Sequence, residues 1–352
     1  MRRGLFAALA PVCPACRARG VDRRLEVVSP RDPTASETAD LLEGILCCSD
    51  EACRREVPIV DGVPLLLRDL RGHVAARPLE ALVRSDLSPA VESLLGDCFG
   101  PDSAFDGMRR QLSIHGVSHW LDGAMEPLVE RALSLAPMVE VEGPVLELGC
   151  AAGGAVLELA RRLERPVLGV DLSLAAARLA RSAFAGRACF PRRRLGVVYA
   201  REAVEVALTP ALAARVDAWC ADAAELPFAD DSFAAVSAFS LLDCVAAPHR
   251  LLAEIGRVLR PGGRAWLASP YDWSVSATAF EQWLGGHSQR GAHAGSAEPV
   301  LRALLASQEA DGVARLRLLA EDLDVPWRLQ LHDRSAVEYS LHLVALERPR
   351  GA

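Results

Sequence analysis

Beyond Gly143 the chain alternates between two hydrophobic patterns. Short apolar runs, VLEL (145–148), PVLGVD (166–171), VDAWCAD (216–222), FAAVSAFS (233–240) and GGRAWLASP (262–270), are separated by segments with apolar positions at helical spacing, such as SLAAARLARSAFA and HRLLAEIGRVLR. This order predicts right-handed βαβ crossovers and a parallel sheet with helices on both faces, its ligand loops at the carboxyl ends of the strands. From Leu70 to about Val141 the period is helical, with breaks expected at Pro78, Pro89, Gly100 to Pro101, and Pro127. The fold class expected is α/β, in three parts: a small β-rich unit over 1–70, a helical linker and substrate cap over 71–142, and an open Rossmann-like sheet domain with a C-terminal lid over 143–352. No internal repeat or low-complexity segment interrupts it.

Composition narrows the class. The chain has 352 residues, 51% hydrophobic and 24% charged, which is enough apolar material for two or three domains. No apolar run reaches the roughly 18 residues that span a bilayer, so a cytoplasmic protein with no membrane partner is expected. The net charge is -7 and every cation is arginine or histidine. An acidic total argues against nucleic acid as a partner, leaving local patches such as RACFPRRRL (187–195), read as a solvated helix end or loop.

Of 10 cysteines, five fall at 13, 16, 47, 48 and 53. The CPAC turn offers Cys13 and Cys16 as one half of a tetrahedral metal site, and LCCSDEAC offers Cys53 with either Cys48 or Cys47 as the other. Adjacent thiols do not easily serve one ion, and Cys48 is favoured. A unit of about 70 residues gains from such a staple, whereas a closed four-sulfur site leaves no open position for catalysis. With REVPIVDGVPLLL following the second pair, this unit resembles the zinc ribbon of the small activating subunit of tRNA and ribosome methyltransferases. That resemblance implies structural zinc and a possible protein partner through the ribbon. Val57 stands where the family has tyrosine, and four residues rather than two separate the second pair.

The bend after the first long-domain strand reads Glu147, Leu148, Gly149, Cys150, Ala151, Ala152, Gly153, Gly154. Small residues let backbone approach a ligand, and the following helix N-terminus favours an anionic group. The next strand ends in Asp171, a carboxylate placed for ribose hydroxyls. Asp222, then Leu226-Pro227-Phe228, and LRPGG at 259–263 complete a set that resembles the class I S-adenosylmethionine-dependent methyltransferases over about Gly143 to Pro270. The resemblance implies S-adenosylmethionine held by Glu147, Gly149, Cys150 and Gly153 at its methionine end, Asp171 and Leu172 at the ribose, Asp222 and Ala223 at the adenine, and Ser240 beside them.

Outside that core, the Tyr199 segment, SLLDCVAAP, SPYDW with WLGG downstream, and VPW before LHDRS resemble the methyltransferase domain of ovothiol-pathway sulfoxide synthases. This implies a small-molecule acceptor, a mercaptohistidine-like imidazole N-methylated beside Asp243, Tyr271 and Trp273. Asp243 would orient the acceptor, and the two aromatic rings would stack on it or face the sulfonium. Methylation of tRNA or protein docked by the ribbon, and a non-catalytic scaffold, stand as the alternatives. His115 and His119 have metal-ligand spacing but no third ligand nearby.

Overall fold

The computed structural model describes residues 1–28, 40–84, 87–307 and 313–350. Among them the chain opens with a small antiparallel unit of β1 (Leu25–Val28), β2 (Gly44–Cys48), β3 (Glu56–Val60) and β4 (Val63–Leu66). The apolar runs then become β5 (Val145–Leu148) and β6 (Val167–Asp171), followed by a hairpin of β7 (Arg187–Leu195) and β8 (Val198–Glu205). After these come β9 (Val216–Ala221), β10 (Phe233–Phe239), β11 (Leu259–Ser269), β12 (Arg317–His332) and β13 (Ser335–Glu347).

All but the hairpin join one sheet in the order β1-β2-β3-β4-β9-β6-β5-β10-β11-β13-β12. The five runs picked out by hydrophobicity are its parallel centre, and β13 returns antiparallel between β11 and β12. Chain order reverses on either side of β5, which puts a crevice at the carboxyl ends of β5 and β10.

The N-terminal unit is hydrogen-bonded into this sheet. Leu65 and Leu66 of β4 pair in parallel with Cys220 and Ala221 of β9, which covers an edge that would otherwise be open. Side chains alternate faces along each strand. Leu146, Leu168 and Trp219 face a core with the helices Arg3–Leu9, Pro248–Val258 and Ala297–Ala306. Val145, Val167 and Val216 face the helices Met125–Leu135, Gly154–Leu163 and Leu174–Phe184.

Helices in the middle part follow their caps. Pro78 and Pro89 open helices Pro78–Leu82 and Pro89–Phe99, where a missing N–H costs nothing. Pro127 does not break the chain as expected. It sits in the first turn of Met125–Leu135, where no intrahelical donor is needed. RACFPRRRL is likewise neither helix end nor loop but strand β7, because Ala188 and Phe190 point inward in alternation with exposed Arg187 and Cys189. Phe190 presses so closely on the helix Ala104–Trp120 that a Cβ on Gly116 would lie 2.3 Å from its ring. No helix among the described residues is long and apolar enough to cross a membrane.

One buried carboxylate ties the N-terminus to the sheet. Asp217, fully buried on β9, accepts from the Arg181 guanidinium, from the Arg2 N–H at 2.9 Å and from Trp219 Nε1 at 3.1 Å. Removing one partner of a buried ion pair strands the other. Asp217→Ala is therefore expected to cost about 3–5 kcal/mol in urea unfolding. A loss below about 1 kcal/mol would show the network to be dispensable.

Candidate active site

Five loops meet at the carboxyl ends of β5, β6, β9, β10 and β11. The bend after β5 needs its glycines: Gly149 has φ +70° and Gly153 φ +85°, both left-handed. A Cβ on Gly149 would lie 2.8 Å from Leu241, and one on Gly153 2.7 Å from Phe184. Cys150 is buried behind the bend, and burial pushes its thiol well up, so it serves as a packing residue.

Asp171 ends β6 with one oxygen accepting the Ala151 N–H at 2.9 Å and the other the Ser173 N–H at 2.8 Å. A carboxylate offers about four acceptor sites, more than these two bonds use. Leu172 beside it is exposed. Asp222 caps its own turn, accepting the Ala224 N–H at 2.8 Å, with Ala223 buried behind it. Ser240, at the end of β10, has a left-handed φ of 53° and a buried hydroxyl with no partner among the described residues.

The middle segment, expected as a helical linker and cap, closes over these loops through contacts that the sequence did not reveal. Glu80 accepts the Leu174 N–H at 2.7 Å and so caps the helix after Asp171, while Arg77 donates to the Leu172 carbonyl at 3.2 Å. His119 Nδ1 accepts the Gly154 N–H at 2.9 Å, and Trp120 Nε1 donates to the Ala152 carbonyl at 3.0 Å. His119 thus braces the glycine bend, with the His115 ring edge-on to it at 6.0 Å, and no third metal ligand joins the pair among the described residues. Burial together with the neighbouring His115 holds His119 down at about 3, so it is a neutral acceptor. The i,i+4 histidine spacing was the one visible signal of this contact.

Beside the exit of β11, Asp243 is buried. It accepts from Ser269 Oγ at 3.0 Å and from the Asp272 N–H at 2.7 Å, so it shapes the loop after β11. Burial raises its carboxyl above the ordinary value. Tyr271, held in that loop at φ 56°, stacks on Trp273 at 6.4 Å, and Trp273 stacks on Trp283 at 6.0 Å and 17°. The Trp273 indole N–H is buried without a partner among the described residues. Tyr199 is drawn elsewhere: its hydroxyl donates to Asp106 at 2.8 Å and its ring covers Arg109, pinning the hairpin to Ala104–Trp120. Arg192 and Arg194 both pair with Asp333.

The structure also brings together Cys13, Cys16, Cys48 and Cys53, with all four sulfurs within 4.8 Å of one another. Cys13 and Cys53 are 3.9 Å apart and Cys16 and Cys48 3.6 Å. Tetrahedral Zn–S bonds of about 2.3 Å place sulfurs about 3.8 Å apart, so the four thiols fit zinc. Cys47 points away to the Cys48 carbonyl.

Residues 146–267 match the family described as a methyltransferase domain. The curated methyltransferase GfsG of Streptomyces halstedii is 30% identical over 43% of this chain and 48% of its own, so the chain spans about half the length of that relative. Among solved structures, geranyl diphosphate C-methyltransferase of Streptomyces coelicolor, bound to S-adenosyl-L-homocysteine, shares 17% identity over 63% of this chain and 75% of that one, with a TM-score of 0.39. A complex of the Haloferax volcanii Trm112 methyltransferase activator shares 19% identity over 67% and 98%, with a TM-score of 0.36. Residues 146–267 thus form a methyltransferase domain, laid on the parallel centre of the sheet.

Glu147 gives this site a pH signature. Fully enclosed on β5 and bonded by the Ser237 hydroxyl, its carboxyl is pushed by burial from 4.5 to about 8. The folded chain therefore holds a proton that the unfolded chain releases. The stability this adds is complete below pH about 4.5 and is lost as pH rises through about 8. Across that window the ligand-free wild type is expected to lose about 1.4 kcal/mol per pH unit relative to Glu147→Gln in urea unfolding. Parallel curves for the two proteins would contradict it.

Proposed function

We propose that this chain transfers the methyl group of S-adenosylmethionine to a small molecule bearing a flat ring. The observation that carries the acceptor class is the aromatic ladder Tyr271, Trp273 and Trp283 at the carboxyl end of β11, with the Trp273 N–H buried and unpartnered. Stacking rewards a planar acceptor, and an indole donor deprived of water rewards a ring nitrogen, oxygen or sulfur that accepts from it. A mercaptohistidine-like imidazole has both features and is the sharpest form of the proposal.

The cofactor is assigned to the β5 to β9 side of the crevice. Gly149 and Gly153 provide bare backbone for its amino-acid end, with the Glu147 carboxyl beneath. Asp171 has open lone pairs for ribose hydroxyls, and Asp222 with Ala223 borders the adenine. The unsatisfied Ser240 hydroxyl fits a polar group of a bound ligand. When bound, S-adenosylmethionine supplies an electrophilic methyl carbon. The protein's share is to align the acceptor's lone pair with that carbon and to exclude water, from which most of the barrier reduction in such a transfer can come.

Zinc is assigned to Cys13, Cys16, Cys48 and Cys53 in a structural role. Arg19 donates to Cys16 Sγ at 3.2 Å and the Asp50 N–H to Cys48 Sγ at 3.5 Å, contacts that temper the charge of a tetrathiolate. Because β4 of the same unit is paired to β9, the ribbon's place is in this chain's own sheet.

Mass spectrometry of the protein with S-adenosylmethionine and 5-mercaptohistidine, histidine or a small-molecule extract of the source cells is expected to show an acceptor gaining one methyl group. Methylation of macromolecules alone would overturn the acceptor class. Elemental analysis is expected to find about one zinc per chain. Its absence from protein made with ample zinc would refute the metal assignment.

A further inference from the structure

We propose that Tyr271, His342 and Glu321 form a proton relay that takes a proton from the methyl acceptor, an inference that rests on the small-molecule methyl transfer proposed above. Tyr271 Oη lies 2.7 Å from His342 Nδ1, and His342 Nε2 lies 3.0 Å from Glu321 Oε2. Arg302 Nε donates to both oxygens of Glu321, at 2.9 Å to Oε2 and 3.0 Å to Oε1.

Strand register builds this chain of contacts. His342 of β13 sits opposite Ser269, the last residue of β11, and alternation places its ring on the face of Val344 and Leu346. Glu321 comes from β12, beside Val344 in the β12–β13 pairing. Tyr271 follows Ser269 by two residues and is bent toward His342 by its left-handed φ of 56°, a conformation that a bulky residue adopts only under constraint. The constraint is Asp243, whose carboxylate fixes both Ser269 and the Asp272 N–H, while Ser269 Oγ accepts the Tyr271 N–H at 3.1 Å. Strain maintained by a buried carboxylate at the mouth of a ligand crevice marks a functional position.

The direction of the relay follows from donor chemistry. An ionised carboxylate only accepts, so His342 carries its proton on Nε2 and leaves Nδ1 bare. Nδ1 must then accept from the Tyr271 hydroxyl, and an oxygen that donates its own proton keeps lone pairs for another. Burial opposes ionisation of Glu321, but its bonds to Arg302 and His342 hold it below the ordinary value. Burial also lowers His342 against the pull of Glu321, and raises Tyr271, so both rest neutral near pH 7. The other charged groups facing the pair are Glu298 and Arg302 of helix Ala297–Ala306, Asp322 of β12 and Asp243.

As the acceptor atom bonds the methyl carbon, its proton passes to Tyr271 Oη and the tyrosine's own proton to His342 Nδ1. Glu321 stabilises the resulting imidazolium, which later yields the proton to water. This is the nucleophile, base and orienter logic with a phenol in the first place. Tyr271 is the catalytic residue here. His342 is its proton acceptor, and Glu321 and Asp243 are positioning residues. The acceptor is therefore one that carries an ionisable O–H, N–H or S–H.

Two measurements test the relay. Nitrogen NMR of the histidine-labelled full chain, without ligand, is expected to show His342 with a bare Nδ1 and a protonated Nε2, and Tyr271→Phe to shift the Nδ1 resonance. A protonated Nδ1 with a bare Nε2 would reverse the hydrogen bonds and overturn the proposal. In parallel, methyl transfer from S-adenosylmethionine into the small-molecule cell extract is followed against pH. Tyr271→Phe is expected to lower turnover about 100-fold or more with cofactor affinity unchanged by calorimetry. The acid limb of the wild type should lie below the ordinary histidine range and vanish in His342→Gln. Turnover of Tyr271→Phe within threefold of wild type at every pH would also overturn it. A wild type that methylates nothing in the extract would instead refute the small-molecule reading, and the tautomer would still decide the relay.

Discussion

The grip of Asp243 on the loop after β11 is the interaction on which the acceptor side of the crevice depends. Both of its oxygens are committed, to Ser269 Oγ and the Asp272 N–H, and between those anchors Tyr271 is held in a left-handed conformation. A buried carboxylate with two good donors is costly to rearrange, and that cost keeps a strained tyrosine in place. The position of Trp273 and the reach of Tyr271 to His342 both follow from the same clamp.

The cofactor side rests on a different device, close approach. Leu241 closes on Gly149 and Phe184 on Gly153 at distances that exclude any side chain. The middle segment then locks the bend from above through His119 and Trp120, and the ribose-side loop through Arg77 and Glu80. The N-terminal unit supports the same region from the edge, because Leu66 pairs with Ala221, immediately before Asp222. Three stretches far apart in sequence thus stiffen one set of loops.

Much of the sheet was legible in advance because its centre is parallel and buried on both faces, which writes each strand as a continuous apolar run. The placement of Asp171 and Asp222 at strand exits was legible because they stand directly at the carboxyl ends of such runs. The hairpin β7–β8 was not, since its arginines mask an alternation carried by only Ala188 and Phe190. Nor was the pairing of Tyr271 with His342 and Glu321. It arises from the antiparallel insertion of β13 between β11 and β12, and no local pattern announces that register. The engagement of Asp243 was hidden for a similar reason, as its partners Ser269 and Asp272 belong to the next strand's exit.

The central claim, that this crevice is built for S-adenosylmethionine, is tested most directly by isothermal titration of the full chain with that cofactor. The account predicts one site per chain with a dissociation constant tighter than about 1 mM, the upper end of usual enzyme affinities, lost when Asp171 is replaced by alanine. Binding weaker than that, or binding indifferent to Asp171, would contradict it.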